Sequence, residues 1–366
     1  MSNANPIAPV AKQDSGGRFD SIEGARGVAA LMVFVSHLNL PILAALESRV
    51  DLGKAGVVLF FFVSGFLVLP GFASQIKIRE FIIKRFFRLY PVYWLSIGLA
   101  ILLAFESFST VRVLANLTMF QEFMGFKNLI TVYWTLTIEM GFYVSLIVVG
   151  LIHRDFLTSK LRISFHLTGL AAVAVAFARY QSQMKLPLAL FLALFVMVFG
   201  AILRGHLHKP LPRKTLATFY AWFALYVGAS CMLGYSFATR FDENPQRYIC
   251  SYAAGTLFFY AVLFHGSFLC RRPLLILGQI SYGFYVFHSP ILEWFRQSYQ
   301  SQAVVIFGSL STALLLSWVV YHLVEMPAIG WGRYLLGRLR QSKNASQRAR
   351  NEVDEVVATN ESSIAP

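Results

Sequence analysis

Apolar runs of about twenty residues recur along nearly the whole chain, separated by short polar segments. Ten can be read, at approximately 24–46, 55–72, 89–105, 132–152, 163–178, 187–203, 216–237, 249–270, 274–294 and 303–323. A hydrocarbon core about 30 Å thick is crossed by about 20 apolar residues in a helix. The pattern therefore predicts an all-α, polytopic membrane bundle of about ten transmembrane helices. Residues 75–89 have a different character, with Lys77, Lys84, Arg85 and Arg88 set among Ile76, Phe81, Ile82, Ile83, Phe86 and Phe87. They read as an amphipathic helix at the membrane interface. The segment 106–131 is semi-apolar at Leu114–Phe126 and reads as an interfacial or re-entrant piece.

Composition agrees with this picture. Of 366 residues, 57% are hydrophobic and 14% charged, with mean hydropathy +0.59, whereas soluble domains carry about 25% charged residues. Residues 1–18 form a polar tail without the apolar core of a cleavable signal peptide. Residues 19–340 are one membrane domain with no convincing internal repeat, and 341–366 are polar, mixed in charge and expected to be disordered. No further extracytoplasmic domain is read. Cys231, Cys250 and Cys270 lack metal-ligand spacing and read as packing residues, so no metal site is expected.

The net charge of +14 changes meaning once it is mapped onto the runs. Alternate segments hold 22 basic residues on one side and nine on the other, with Arg26 inside the first run. The positive-inside rule then places both termini in the cytoplasm. Basicity reports topology here, and no nucleic-acid partner is expected.

Ionisable residues inside the runs are the candidate chemistry, because a charged group there costs about 3 kcal/mol or more. Arg26 and His37 are eleven residues apart, so at about 100° per residue they share one helical stripe, separated by about 16 Å. Glu139 lies about seven residues into the fourth run, and Ser281, Tyr285 and His288 share one face of the ninth. Depth places His37, Glu139 and His288 at mid-membrane or in the outer half, with Arg26, Arg85, Arg88 and Glu325 on the cytoplasmic side. Guanidinium groups bind phosphates by charge-assisted pairs, and a histidine can take a proton from a hydroxyl. Each residue also has a plainer reading. The arginines fit lipid-phosphate anchors, Glu139 a bond to another helix, and His288 a carbonyl freed near Pro290. Glu325 fits a helix-end ion pair. Tyr90, Tyr93, Trp94, Tyr133 and Trp134 fit an interfacial aromatic belt.

Taken together and in order, these segments resemble the acyltransferase family 3 of integral membrane acyltransferases. The resemblance rests on Ile22–Gly27 leading to His37, Val57–Leu67, Arg85–Trp94, Tyr133–Glu139, Ile280–Pro290 and Glu325-Met-Pro327. It departs at Glu23, where aspartate is common, and at Met140, where a second acidic residue is common. The resemblance implies transfer of an acyl group, most often acetyl, from cytoplasmic acyl-CoA to a sugar hydroxyl of a surface or lipid-linked glycan. Acetyl-CoA would be a substrate rather than a resident cofactor, and the enzyme a multi-pass protein of the cell inner membrane. Arg26 and His37 would be catalytic, with His37 a general base or a transient acyl carrier and Glu139 its orienting carboxylate. Arg85, Arg88 and Arg26 would hold the coenzyme, and His288, Tyr285 and Ser281 the acceptor. The competing class is a transporter or flippase for a lipid-linked sugar or small anion, which also uses intramembrane ionisable groups. It predicts inverted repeats or paired broken helices, and neither is clear in the sequence.

Overall fold

The computed structural model describes residues 19–73, 78–103, 107–152, 160–236 and 243–342. Residues 1–18 and 343–366, Lys77 and Arg154 lie outside the described residues, which contain helices and turns but no strand. The helices are α1 (Asp20–His37), α2 (Ala44–Glu47), α3 (Leu52–Ala73), α4 (Ile78–Leu103), α5 (Thr110–Leu117) and α6 (Tyr133–Ile152). They continue with α7 (Leu161–Ser182), α8 (Leu188–His208), α9 (Arg213–Gly234), α10 (Pro245–His265), α11 (Arg272–Gln279) and α12 (Ser281–Ser298). The long α13 (Val304–Ser342) begins with a π-helical turn and has another at Tyr321–Glu325.

Among the described residues seven helices are long and apolar enough to cross a membrane, or eight when the bent pair Asp20–His37 and Pro41–Glu47 counts as one span. That makes a multi-pass membrane protein, though not with ten equivalent spans. The apolar stretch of α3, Leu52–Val68, falls short of the length, and α12 carries His288, Glu293 and Arg296 within 18 residues.

Two boundaries differ from the apolar pattern. The first run continues apolar to Leu46, yet α1 ends at His37 and the chain bends by 108°. Asn39 adopts a left-handed φ of 51°, and Pro41 cannot donate to a continuing helix. His37 is thus the last residue of α1 rather than a mid-helix residue. Conversely, the surface helix expected at 75–89 and the third run are one helix from residue 78. Its 26 residues span about 39 Å at 1.5 Å each, more than a hydrocarbon core of about 30 Å. Arg85 and Arg88 therefore ride on a long spanning helix. α5, within the semi-apolar segment, offers its last carbonyls to α4. Tyr90 donates to Thr118 O at 2.8 Å, Tyr93 to Asn116 O at 2.8 Å and Trp94 to Leu117 O at 3.0 Å. These aromatic residues, read as a belt, satisfy a helix terminus.

α3 is the central helix, packed against α1, α6, α8 and α10. In an apolar solvent helices associate through close packing of small residues, and α3 meets α8 in this way. A Cβ on Gly65 would lie 1.8 Å from the Met197 carbonyl oxygen, and one on Gly200 would lie 2.5 Å from the Phe62 carbonyl. Around this crossing Phe62 stacks on Phe259 with centroids 4.8 Å apart. Gly27 and Gly278 bring α1 and α11 into similar backbone contact. Gly65→Leu is expected to lower the thermal stability of the detergent-solubilised protein by about 3 kcal/mol or more through overpacking. Gly98→Ala, with no heavy atom within 4 Å of its added carbon, should leave the melting temperature nearly unchanged.

Candidate active site

Because α1 runs from Arg26 to His37, it carries one candidate into each of two cavities. The smaller, about 290 Å³, is lined by Arg26 of α1, Arg85 and Arg88 of α4, Glu139 and Thr135 of α6, and Ser281 and Tyr285 of α12. The larger, about 860 Å³, holds His37 and is lined by charged and aromatic residues from several connecting segments. Val57 and Phe61 of α3 and Tyr285 of α12 line both. These three side chains form the partition. Tyr285 is held in it by α6, its hydroxyl lying 2.7 Å from Thr135 Oγ1 and 3.3 Å from the Val132 carbonyl.

The arginines are not equivalent. Arg26 pairs with Glu23 at 3.2 Å, and Arg88 pairs with Glu325 at 2.5 Å. Glu325 is almost wholly buried, at 1% exposure, so this pair joins α4 to the π-helical turn of α13. The ion pair expected of Glu325 is present, but it lies inside α13 rather than at a helix end, because the helix continues past Pro327. Arg85 instead lies over the rings of Phe81 and Tyr143, at 5.5 and 5.2 Å, and has no carboxylate partner among the described residues. Cation–ring contact steers a guanidinium without neutralising it. Arg85 is therefore the group most available to an anion.

The histidine end is built differently. His37 Nδ1 lies 2.8 Å from the Val33 carbonyl. A carbonyl only accepts, so Nδ1 carries the proton and the Nε2 lone pair is left free. Arg296 of α12, which sequence reasoning passed over, donates to the His37 carbonyl and so places a cation at the C-terminus of α1. The ring beside His37 is His288, with centroids 5.3 Å apart. His288 is fully buried, its Nδ1 lies 3.2 Å from the Phe284 carbonyl, and its Nε2 has no hydrogen-bond partner.

Two expected groupings change. Glu139 does not orient His37: it lines the arginine cavity and accepts from Tyr143, while the Val33 carbonyl orients His37. The acceptor triad is also divided. Ser281 opens on the arginine cavity, Tyr285 stands in the partition, and His288 lies against His37 without lining either cavity. Seven residues of helix make that face about 10 Å long, so it connects the two ends of the site.

Residues 19–322 match the family model described as an acyltransferase domain, acyltransferase 3. The chain belongs to that family. Its similar relatives include the O-acetyltransferase OatA of Staphylococcus aureus, 26% identical over 357 residues, covering 84% of this chain and 56% of the relative. The peptidoglycan O-acetyltransferase OatA of Listeria monocytogenes is 24% identical, covering 74% of this chain and 49% of the relative. The putative peptidoglycan O-acetyltransferase YrhL of Bacillus subtilis is 24% identical, with shares of 89% and 58%. This chain thus spans about half the length of the curated relatives it matches. No solved structure matches it.

Removing one member of a buried ion pair leaves an uncompensated charge. Glu325→Gln is expected to cost about 3 kcal/mol of stability, and Arg88→Leu with Glu325→Leu should recover most of it. Thermal unfolding of both variants in detergent checks this, and an unchanged melting temperature for Glu325→Gln contradicts the pairing.

Proposed function

We propose that this acyltransferase-family protein is an integral membrane O-acyltransferase. It takes an acyl group, most simply acetyl, from acyl-CoA in the arginine cavity and delivers it to a sugar hydroxyl in the histidine cavity. The observation that carries this reading is the pair of adjoining cavities along α1, whose linings share Val57, Phe61 and Tyr285. The smaller cavity, at about 290 Å³, has room for a narrow pantetheine arm rather than a whole coenzyme, with phosphate recognition falling to Arg85. The rise from Arg26 to His37, about 16 Å, is comparable to an extended pantetheine arm. The positive-inside count supports a cytoplasmic arginine end and an inner-membrane location with both termini inside. On that topology the remaining short helices, α3 and α12, complete ten membrane segments. Relatives named for O-acetylation of peptidoglycan support a cell-surface glycan as acceptor.

In the direct course, His37 Nε2 takes the proton of the acceptor hydroxyl as its oxygen attacks the thioester carbonyl. The C–S bond breaks, and the proton passes to the departing coenzyme thiolate. His288 lies where it lines one side of the imidazolium formed at His37. In a second course Nε2 itself attacks the thioester carbonyl and the C–S bond breaks to release the coenzyme thiolate; the acceptor hydroxyl then attacks the acyl-imidazole, the N–acyl bond breaks, and the hydroxyl proton passes to Nε2. Donor and acceptor then occupy the His37 cavity in turn rather than together.

His37→Ala is expected to lower acetyl transfer by about a thousandfold, since a positioned base contributes about 10²–10⁴. Purified protein with labelled acetyl-CoA and a glycan acceptor checks this, and wild-type turnover would refute the assignment. Label retained on the protein without acceptor, and absent in His37→Ala, selects the acyl-histidine course. Arg85→Gln should weaken acetyl-CoA binding about tenfold, as loss of one charge-assisted contact does; equilibrium binding checks it.

A further inference from the structure

The larger cavity carries a charge pattern that the chemistry at His37 does not use. On the topology above, the outer segments hold nine basic residues, Arg49, Lys54, Arg112, Lys127, Arg179, Lys185, Arg240, Arg247 and Arg296. Four of them, Lys54, Lys127, Arg179 and Lys185, line this one cavity, although they come from three separate segments. Arg247 stands behind it, paired with Asp51 at 3.3 Å and Glu47 at 3.1 Å. Cations are few on the outer side of such proteins, so their convergence on one cavity is not explained by topology.

Two of the four belong to a fixed wall. Lys54 pairs with Asp51, and Arg179 pairs with Glu243 at 2.6 Å. Between them stand two stacked rings, Tyr235 and Tyr248, with centroids 3.6 Å apart. Arg179 covers Tyr235 at 5.2 Å, and Lys54 covers Tyr248 at 4.6 Å. The Tyr248 hydroxyl donates to Glu243 Oε1 at 3.3 Å. Burial pushes the Asp51 carboxyl up, but Lys54 and Arg247 outweigh it and hold the carboxyl below its ordinary value. The same turn reaches the catalytic end, since a Cβ on Gly53 would lie 3.0 Å from Ser36 Oγ, next to His37.

The other two cations are not matched. Lys127 and Lys185 have no ion-pair partner among the described residues. The remaining carboxylate of the lining, Glu122, accepts from Asn128 Nδ2 at 2.6 Å. The cavity thus offers a ligand two ammonium groups, in excess of the one carboxylate without a cation partner, Glu122, beside a neutralised wall that leads to His37. An ammonium is a point charge that accepts carboxylate or phosphate alike.

We propose that this cavity binds an acceptor saccharide through an acidic group, a carboxylate or a phosphate, held by Lys127 and Lys185 while a hydroxyl of the sugar is presented to His37. The inference rests on the reading of the cavity as the acceptor site.

The test uses the full chain in lipid nanodiscs with acetyl-CoA and three probes. These are a glucuronate-terminated disaccharide, its carboxyl-reduced neutral counterpart, and glucose 1-phosphate. Binding is measured at equilibrium, and transfer as kcat/KM. At least one acidic probe should bind and be acylated about tenfold better than the neutral one, mainly through KM, as a charge-assisted contact implies. The preference should decline with added salt. It should fall to about one in Lys127→Gln with Lys185→Gln, whereas Lys160→Gln, outside the cavity, should keep it. The ranking of glucuronate against phosphate identifies the source of the acidic group. Equal handling of acidic and neutral probes, a preference that survives the double change, or no binding of either acidic probe overturns the proposal. Lysine-dependent binding of an acidic probe with no acetyl transfer to any probe would keep the anion site and overturn the reading of the cavity as the acceptor site.

Discussion

A buried hydroxyl in an apolar bundle must find a partner, and for Tyr285 that partner is α6. Its bonds to Thr135 and the Val132 carbonyl tie α12 to α6 at the level where Val57 and Phe61 of α3 close the space between the two cavities. The division of the site depends on this attachment. Freed from α6, the ring would no longer be fixed between the arginine end and the histidine end. The two cavities therefore meet at a single hydrogen-bonded ring and two apolar side chains.

Charge neutralisation follows the same division. Low dielectric makes an unpaired guanidinium costly, and the structure pairs Arg26 with Glu23 and Arg88 with Glu325. Arg85 is left against aromatic rings, so one cation of the cluster stays available while its neighbours hold helices together. At the other end both histidines give their Nδ1 protons to their own helices. This arrangement leaves two imidazole lone pairs in one small region, beside a cavity whose charged wall is already paired.

Much of this was legible in the chain because run length, helical spacing and charge alternation are local properties. The α-helical membrane class, the common stripe of Arg26 and His37, and the shared face of Ser281, Tyr285 and His288 need only a period of 3.6. What was not legible depends on how helices are rotated against one another. Glu139 sits only four residues beyond Thr135, so a modest rotation decides whether it faces His37 or the arginine cavity; it lines the arginine cavity. The Arg296 bond to the His37 carbonyl spans 259 residues, and no local pattern announces it. The end of α1 is an intermediate case. Asn39 and Pro41 were visible as breakers, but the apolar run through Leu46 concealed their effect.

On the proposed function, donor and acceptor enter from opposite ends of one site. Proteoliposomes of a single, verified orientation test it, with acetyl-CoA supplied to one face and a membrane-impermeant glycan acceptor to the other. Transfer is predicted only when acetyl-CoA faces the Arg26 end and the acceptor faces the His37 end. Transfer that requires both substrates on the same face would contradict the account.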